Sequence, residues 1–128
     1  MSLDEALSLY AEAAQDLASA GLSNAAGMHY NCADLCNHAA EMTLQALYVA
    51  QHDSRAPYDH NLRTLGMLVG APDNILADLD TLTPYHPSFF LERVDADQAD
   101  DEVGGDTASA LLAHARAVMR WARPSLLA

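Results

Sequence analysis

At 128 residues, 51% of them apolar, the chain is long enough for one domain with a sizeable core and too short for two. Six arginines, no lysine and 18 acidic residues leave a net charge of −12. Such a surface repels nucleic acid and anionic membranes over most of its extent, so any phosphate contact must come from a local arginine cluster. No stretch approaches the ~18 uncharged apolar residues that span a bilayer. The acidic start "MSLDEALSLY" lacks the basic, then apolar, pattern of a signal peptide. A cytoplasmic protein with reduced thiols at Cys32 and Cys36 is expected.

The chain opens with Ser2 and Glu5 in capping-box spacing. Leu3, Leu7, Tyr10, Ala14 and Leu17 then recur at helical steps, and Gly21 is read as the end of this first helix. A second helix is predicted from Ser23–Ala25 to about Gln51. Met28, Cys32, Leu35, Ala39, Met42, Ala46 and Val49 form its seam, widened by Cys36, Ala40, Leu44 and Leu47. At about 40 Å long it must be the central element. Pro57 breaks the loop "HDSRAPY", and Asp59 is placed to cap a third helix, "HNLRTLGMLVG". "DNILADLDTL" reads as a short helix ending before Pro84. Two prolines, an acidic run and Gly104–Gly105 make 83–106 look like a long irregular connection. The last helix begins at Thr107, buries Ala108, Leu111, Leu112, Ala115, Val118, Met119 and Ala122, and ends at Pro124. The sum is a single all-α domain over residues 1–128. It reads as an antiparallel up-and-down four-helix bundle with a short extra helix and a long loop before the last helix.

Four constellations could carry chemistry. His29, Cys32 and Cys36 share one helical face and are zinc-compatible types, but both cysteines lie in the apolar seam, where Cys behaves as a small hydrophobe. No metal is expected there. Asn31, Asp34, His38, Glu41, Gln45, Tyr48 and His52 make a polar stripe along the second helix. Its bland reading is a solvated face; its amides, imidazoles and tyrosine instead suit a groove or a subunit contact. Arg55 and His60 could serve phosphodiester cleavage, the histidine moving protons and the arginine stabilising phosphorane charge. His60 could equally be no more than a polar residue at a helix start. Arg116, Arg120 and Arg123, half of the positive charge, lie at i, i+4 and i+7. They either complement the dipole at a helix C-terminus or form an anion site or a contact for an acidic partner.

The order of "HYNCADLCNHAAEMTLQALYVAQ", "YDHNLRTLGMLV" and "LTPYHPSFF" resembles the HEPN domain family (higher eukaryotes and prokaryotes nucleotide-binding). In that family the second helix carries a run like Gln-Gln-Ala-x-Glu-Lys-x-Leu-Lys-Ala. Asn37 and His38 stand at the glutamine places, and Ala39, Glu41, Leu44 and Ala46 match. Gln45 replaces a lysine. His60 and Leu62 fit a His-Asp-Leu element, with Asn61 between them. "TPYHP" stands where many members have an Arg-Tyr-Pro turn, here without its arginine.

The resemblance implies a helical bundle, usually a homodimer, associated with nucleotides or RNA and often partnered by a minimal nucleotidyltransferase in toxin–antitoxin modules. Some members are RNA endonucleases with an Arg and a His four to six residues apart on a late helix. Here only Arg55 and His60 have that spacing, and this histidine belongs to the His-Asp-Leu element. The expectation is therefore a binding or accessory module without a cofactor. Asn31, His38, Glu41 and His60 would line its groove, and Arg116 and Arg120 would contact phosphate. A metal-independent endoribonuclease using Arg55 and His60 is the alternative, and a metal-binding bundle a second one.

Overall fold

The computed structural model describes residues 2–127; Ser2 is described by its backbone alone, so the expected Ser2–Glu5 capping pair lies outside the described residues. Six helices follow in order: α1 (Ser2–Ala25), α2 (His29–His52), α3 (Leu62–Leu68), α4 (Asp73–Leu82), α5 (Pro87–Arg93) and α6 (Ala99–Leu127). Short 3-10 turns at Thr83–Tyr85 and Ala96–Gln98 bracket α5, and no strand occurs among the described residues. The fold is all-α. No helix among these residues is long and apolar enough to cross a membrane.

Helix α2 is the hub, packed along both α1 and α6; α6 also meets α4 and α1, and α3 rests on α4. Its expected seam is buried except for Met28, which is 49% exposed just before the helix, and Leu35, which is half-buried. The buried face of α1 is alanine-rich: Ala6, Ala13 and Ala20 are fully buried. Leu9 is the larger α1 side chain that joins them.

Several expected boundaries move, each for a local reason. Helix α1 runs through Gly21 to Ala25, because the residue that takes the left-handed conformation is Gly27 (φ 81°). Its N–H donates to Asn24 O and the Met28 N–H to Ser23 O, the paired bonds of a Schellman end. Helix α2 consequently starts at His29, later than the sequence suggested. The cap of α3 is Asn61, whose Oδ1 accepts from the Arg63 N–H; Asp59 instead accepts from the Asn61 N–H, two residues on.

The largest correction concerns 83–106, which is mostly helical rather than irregular. Pro84 and Pro87 sit in first turns, where a missing N–H costs nothing. The acids Asp100, Asp101 and Glu102 occupy the first turn of α6, where they suit the helix dipole. Helix α6 kinks at Gly104 (φ 72°, ψ 159°) and carries Pro124 inside its last turn, continuing to Leu127. Proline removes one backbone bond there without ending the helix, because so few residues remain to be disrupted.

Candidate functional site

The polar stripe of α2 is only partly a solvated face. Asn37 is 1% exposed, and its amide donates to the Leu82 carbonyl at 2.9 Å. Gln45 is also buried, its Oε1 accepting from the Ala56 N–H at 3.0 Å. These two amides fasten the loop after α2 and the end of α4 back onto α2. A third bond, Leu62 N–H to Thr83 Oγ1 at 3.1 Å, brings the residues near 60 beside those near 85.

That folding creates a centre the sequence did not reveal. The rings of His60 and His86 lie 3.8 Å apart, centre to centre, tilted by 33°. Donor atoms of Glu41, His60 and His86 all fall within 4.8 Å of one another. The Tyr58 ring approaches His60 at 4.6 Å and that of Phe89 at 6.1 Å, both roughly edge-on. Tyr58 is 79% exposed and Phe89 37%, so the histidine pair opens to solvent between two aromatic rings. Nothing in the sequence spacing linked His86 to His60. The signal that could have done so is the pair of buried-type amides at Asn37 and Gln45, which only make sense if loops fold onto α2.

The electrostatics of this centre follow from its burial. Burial raises the Glu41 carboxyl above the usual carboxylate range, and the nearby charges of His38, His60 and Arg55 offset part of that. Burial likewise lowers His86, with His60 and His38 adding to the effect. Arg55 and His60 thus both lie close enough to Glu41 for their charges to act on it. Arg55 also reaches Glu5 of α1 at 3.7 Å. His38 turns to α1, where its Nδ1 meets the Asp16 carboxylate at 2.5 Å. Asn31, two turns or about 10 Å up the helix axis from His38, donates to Ser23 Oγ and stands apart from this group.

His86 caps α5: its Nδ1 accepts from the Ser88 N–H at 3.1 Å. A neutral imidazole that accepts at Nδ1 carries its proton at Nε2, so His86 presents a donor, not a metal ligand. That leaves Glu41 and His60 of the triplet as metal-competent groups. In a second triplet, Glu12, Asp16 and His38, the His38 Nδ1 is already engaged by Asp16. The His29, Cys32 and Cys36 face is used otherwise. Both thiols are fully buried and pushed up by that burial, while His29 Nδ1 pairs with Asn24 Oδ1 at 2.8 Å. The histidine centre thus offers a hydrogen-bond donor at His86, an imidazole at His60 whose Nδ1 is buried without a partner, and a carboxyl that burial raises.

Arg116 and Arg120 are not part of this centre. With Arg123 they line an open groove of about 430 Å³ between α1 and α6, floored by Tyr10, Ala14, Leu17, Ala18 and Met119. The Tyr10 hydroxyl donates to the Met119 carbonyl at 3.1 Å and fixes the two helices there. Among the described residues, the arginines in ion pairs are Arg55 and Arg63; the three groove arginines have no carboxylate within 4 Å. The histidine centre meets α1 at Glu5 and Asp16, and the groove meets it at Tyr10, Ala14 and Leu17. At 100° per residue these are opposite flanks of the helix.

Neither a protein-family model nor a curated protein matches the chain. Among solved structures, TT1696 from Thermus thermophilus is similar in fold, with a TM-score of 0.83 over 95% of this chain and 98% of that one, at 20% sequence identity.

Proposed function

We propose that this chain is a HEPN-type helical module that binds a nucleotide or an RNA segment at the centre formed by Glu41, Arg55, His60 and His86. The observation that carries this reading is the exposed pair of aromatic rings, Tyr58 and Phe89, flanking two imidazoles. Exposed rings offer stacking surfaces for bases, and a guanidinium supplies the local positive charge that an acidic protein otherwise lacks. On this reading α1, α2, α4 and α6 are the four members of an up-and-down bundle, with α4 the short one. A cytoplasmic setting that keeps Cys32 and Cys36 as thiols, and a nucleotidyltransferase as partner, belong to the same reading. The test is titration of fluorescent single-stranded RNA and of ATP into wild-type protein, Tyr58→Ala and His60→Ala. Binding weakened about tenfold or more by each substitution supports the reading. Unchanged binding, or none by wild type to either probe, ends it.

A second reading, metal-independent RNA cleavage, is favoured by the contact of His60 with His86. Mutual repulsion and burial disfavour two charged rings so close together. His60, whose Nδ1 has no partner, can then accept a proton while His86 donates a hydrogen bond from Nε2, with Arg55 at the phosphate. RNA cleavage in EDTA that disappears in His60→Ala would establish it. Binding without cleavage would leave the first reading standing alone.

A further inference from the structure

The groove between α1 and α6 has two unlike walls. Helix α1 contributes Tyr10, Ala14, Leu17 and Ala18, and the one polar end among them, the Tyr10 hydroxyl, is already bonded to the Met119 carbonyl. Helix α6 contributes Met119 and three arginines, Arg116, Arg120 and Arg123, half of the six cations in the chain. The arginines, Ala14 and Ala18 are exposed; Tyr10 and Leu17 are half-buried.

The acids of α1 are kept off this groove. At 100° per residue, its four lining residues fall within about 100° of the helix circumference. Glu5, Glu12 and Asp16 fall within about 40° of one another on the opposite side, and Asp4 lies nearly two turns before Tyr10. An anion entering the groove therefore meets guanidinium groups on one side and an uncharged apolar surface on the other. The charge is segregated here, although 18 acidic residues dominate the rest of the chain.

We propose that this groove binds a free single-chain carboxylate, its head on the arginines and its alkyl body along α1. Each wall requires one half of that ligand. Successive arginines stand about one turn apart, so two guanidinium forks can share one carboxylate, and Arg120, between the other two, belongs to either pair. The α1 wall runs about 12 Å from Tyr10 to Ala18, room for a medium-length alkyl chain. The volume of about 430 Å³ falls among the ~300–1,000 Å³ of small-ligand sites, which are mostly apolar with a few placed polar groups. Inorganic phosphate would leave the α1 wall wet, and RNA would lay sugars and phosphates on it. An anionic bilayer is repelled by the net charge of −12. The histidine centre lies on the opposite flank of α1, so the proposal does not depend on what that centre binds.

The test is calorimetric titration of the full chain with octanoate, 1-octanol and acetate, with amide chemical shifts to locate binding. Octanoate should saturate one site and move the amides of residues 14–18 and 116–123. The alcohol keeps the chain without the charge and acetate the charge without the chain; each should bind at least tenfold more weakly. Arg120→Gln should weaken octanoate at least fivefold. Ala14→Glu, which sets a carboxylate on the apolar wall, should abolish its binding. Both positions are exposed, and circular dichroism checks that the variants fold. No saturable binding of octanoate up to 10 mM overturns the proposal, as does equal binding of the alcohol or of acetate. Octanoate binding indifferent to both substitutions overturns it too. So do groove amides that shift with single-stranded RNA, or with phosphatidylglycerol vesicles, and not with octanoate; these would give the groove to nucleic acid or to a lipid surface.

Discussion

The two flanks of α1 treat charge in opposite ways. On one, each ionisable group has company: Asp16 holds His38, Glu5 reaches Arg55, and Glu41 sits among His38, His60, His86 and Arg55. On the other, three arginines border an aliphatic groove and, among the described residues, have no carboxylate within 4 Å. Within the partly buried histidine centre, burial displaces Glu41 upward and His86 downward. An exposed row of cations over an apolar floor is suited to holding something else. The contrast separates a site completed by the fold from a surface that the fold leaves open.

The sharpest way to break this comparison is to disturb the hub that both flanks share. Leu44 of α2 is fully buried, and Leu44→Ala should lower stability by about 2–5 kcal/mol in denaturant unfolding. Both flanks should suffer together, seen as equal loss of ligand binding at the centre and in the groove under mildly denaturing conditions. Asn37→Ala should act on one flank more than the other. It strands the Leu82 carbonyl, at a cost of about 1–3 kcal/mol, and loosens the segment that carries His86. Hydrogen exchange should then rise around residues 82–90 before it rises in α1.

Tyr58→Ala should leave stability within about 0.5 kcal/mol, since the ring is mostly exposed. On the proposed reading it should nonetheless weaken RNA binding by about 1–3 kcal/mol, the worth of one stacked base. A fall in thermal stability without a fall in affinity would show the ring to be structural.

The smallest expected effect is on pH dependence, and its two halves have opposite signs. The folded state raises Glu41, so its contribution favours folding below the ordinary glutamate value of 4.5 and is lost as pH climbs through the raised one. The folded state lowers His86, so its contribution is present above the ordinary histidine value of 6.5 and is lost as pH falls through the lowered one. Glu41→Gln should therefore reduce the loss of stability on moving from pH 4.5 upward, and His86→Gln the loss on moving down from pH 6.5. Urea midpoints across about pH 4–8 read both. Identical slopes in wild type and both variants would show that the centre is too wet to displace either group.

Much of the helical content was legible because period and punctuation agree locally. The seam of α2 and the apolar face of α6 announce themselves at helical spacing, and Asp73–Leu82 stops where expected. Where the reading failed, two rules competed. Prolines and acids in 83–106 resemble loop residues, yet the same residues suit first turns of helices, and which use prevails depends on packing that spacing does not encode. Gly21 was read as the end of α1, but the bonds from Gly27 and Met28 back to Asn24 and Ser23 end it at Ala25 instead. His60 and Arg55 were visible as chemistry-bearing residues, but His86 was not, because a helix pair and several turns of chain separate two rings that lie in contact.

Alone, then, the sequence determined that the chain is helical, that α2 is its centre, and that its few cations are concentrated on α6. Those are local properties, set by side-chain periodicity and by the charge each residue carries. Only tertiary structure decided which face of α1 goes inside, the one with Ala6, Leu9, Ala13 and Ala20 instead of the more conspicuous leucine stripe. It alone joined His60 to His86, since that contact depends on hydrogen bonds between segments distant in the chain.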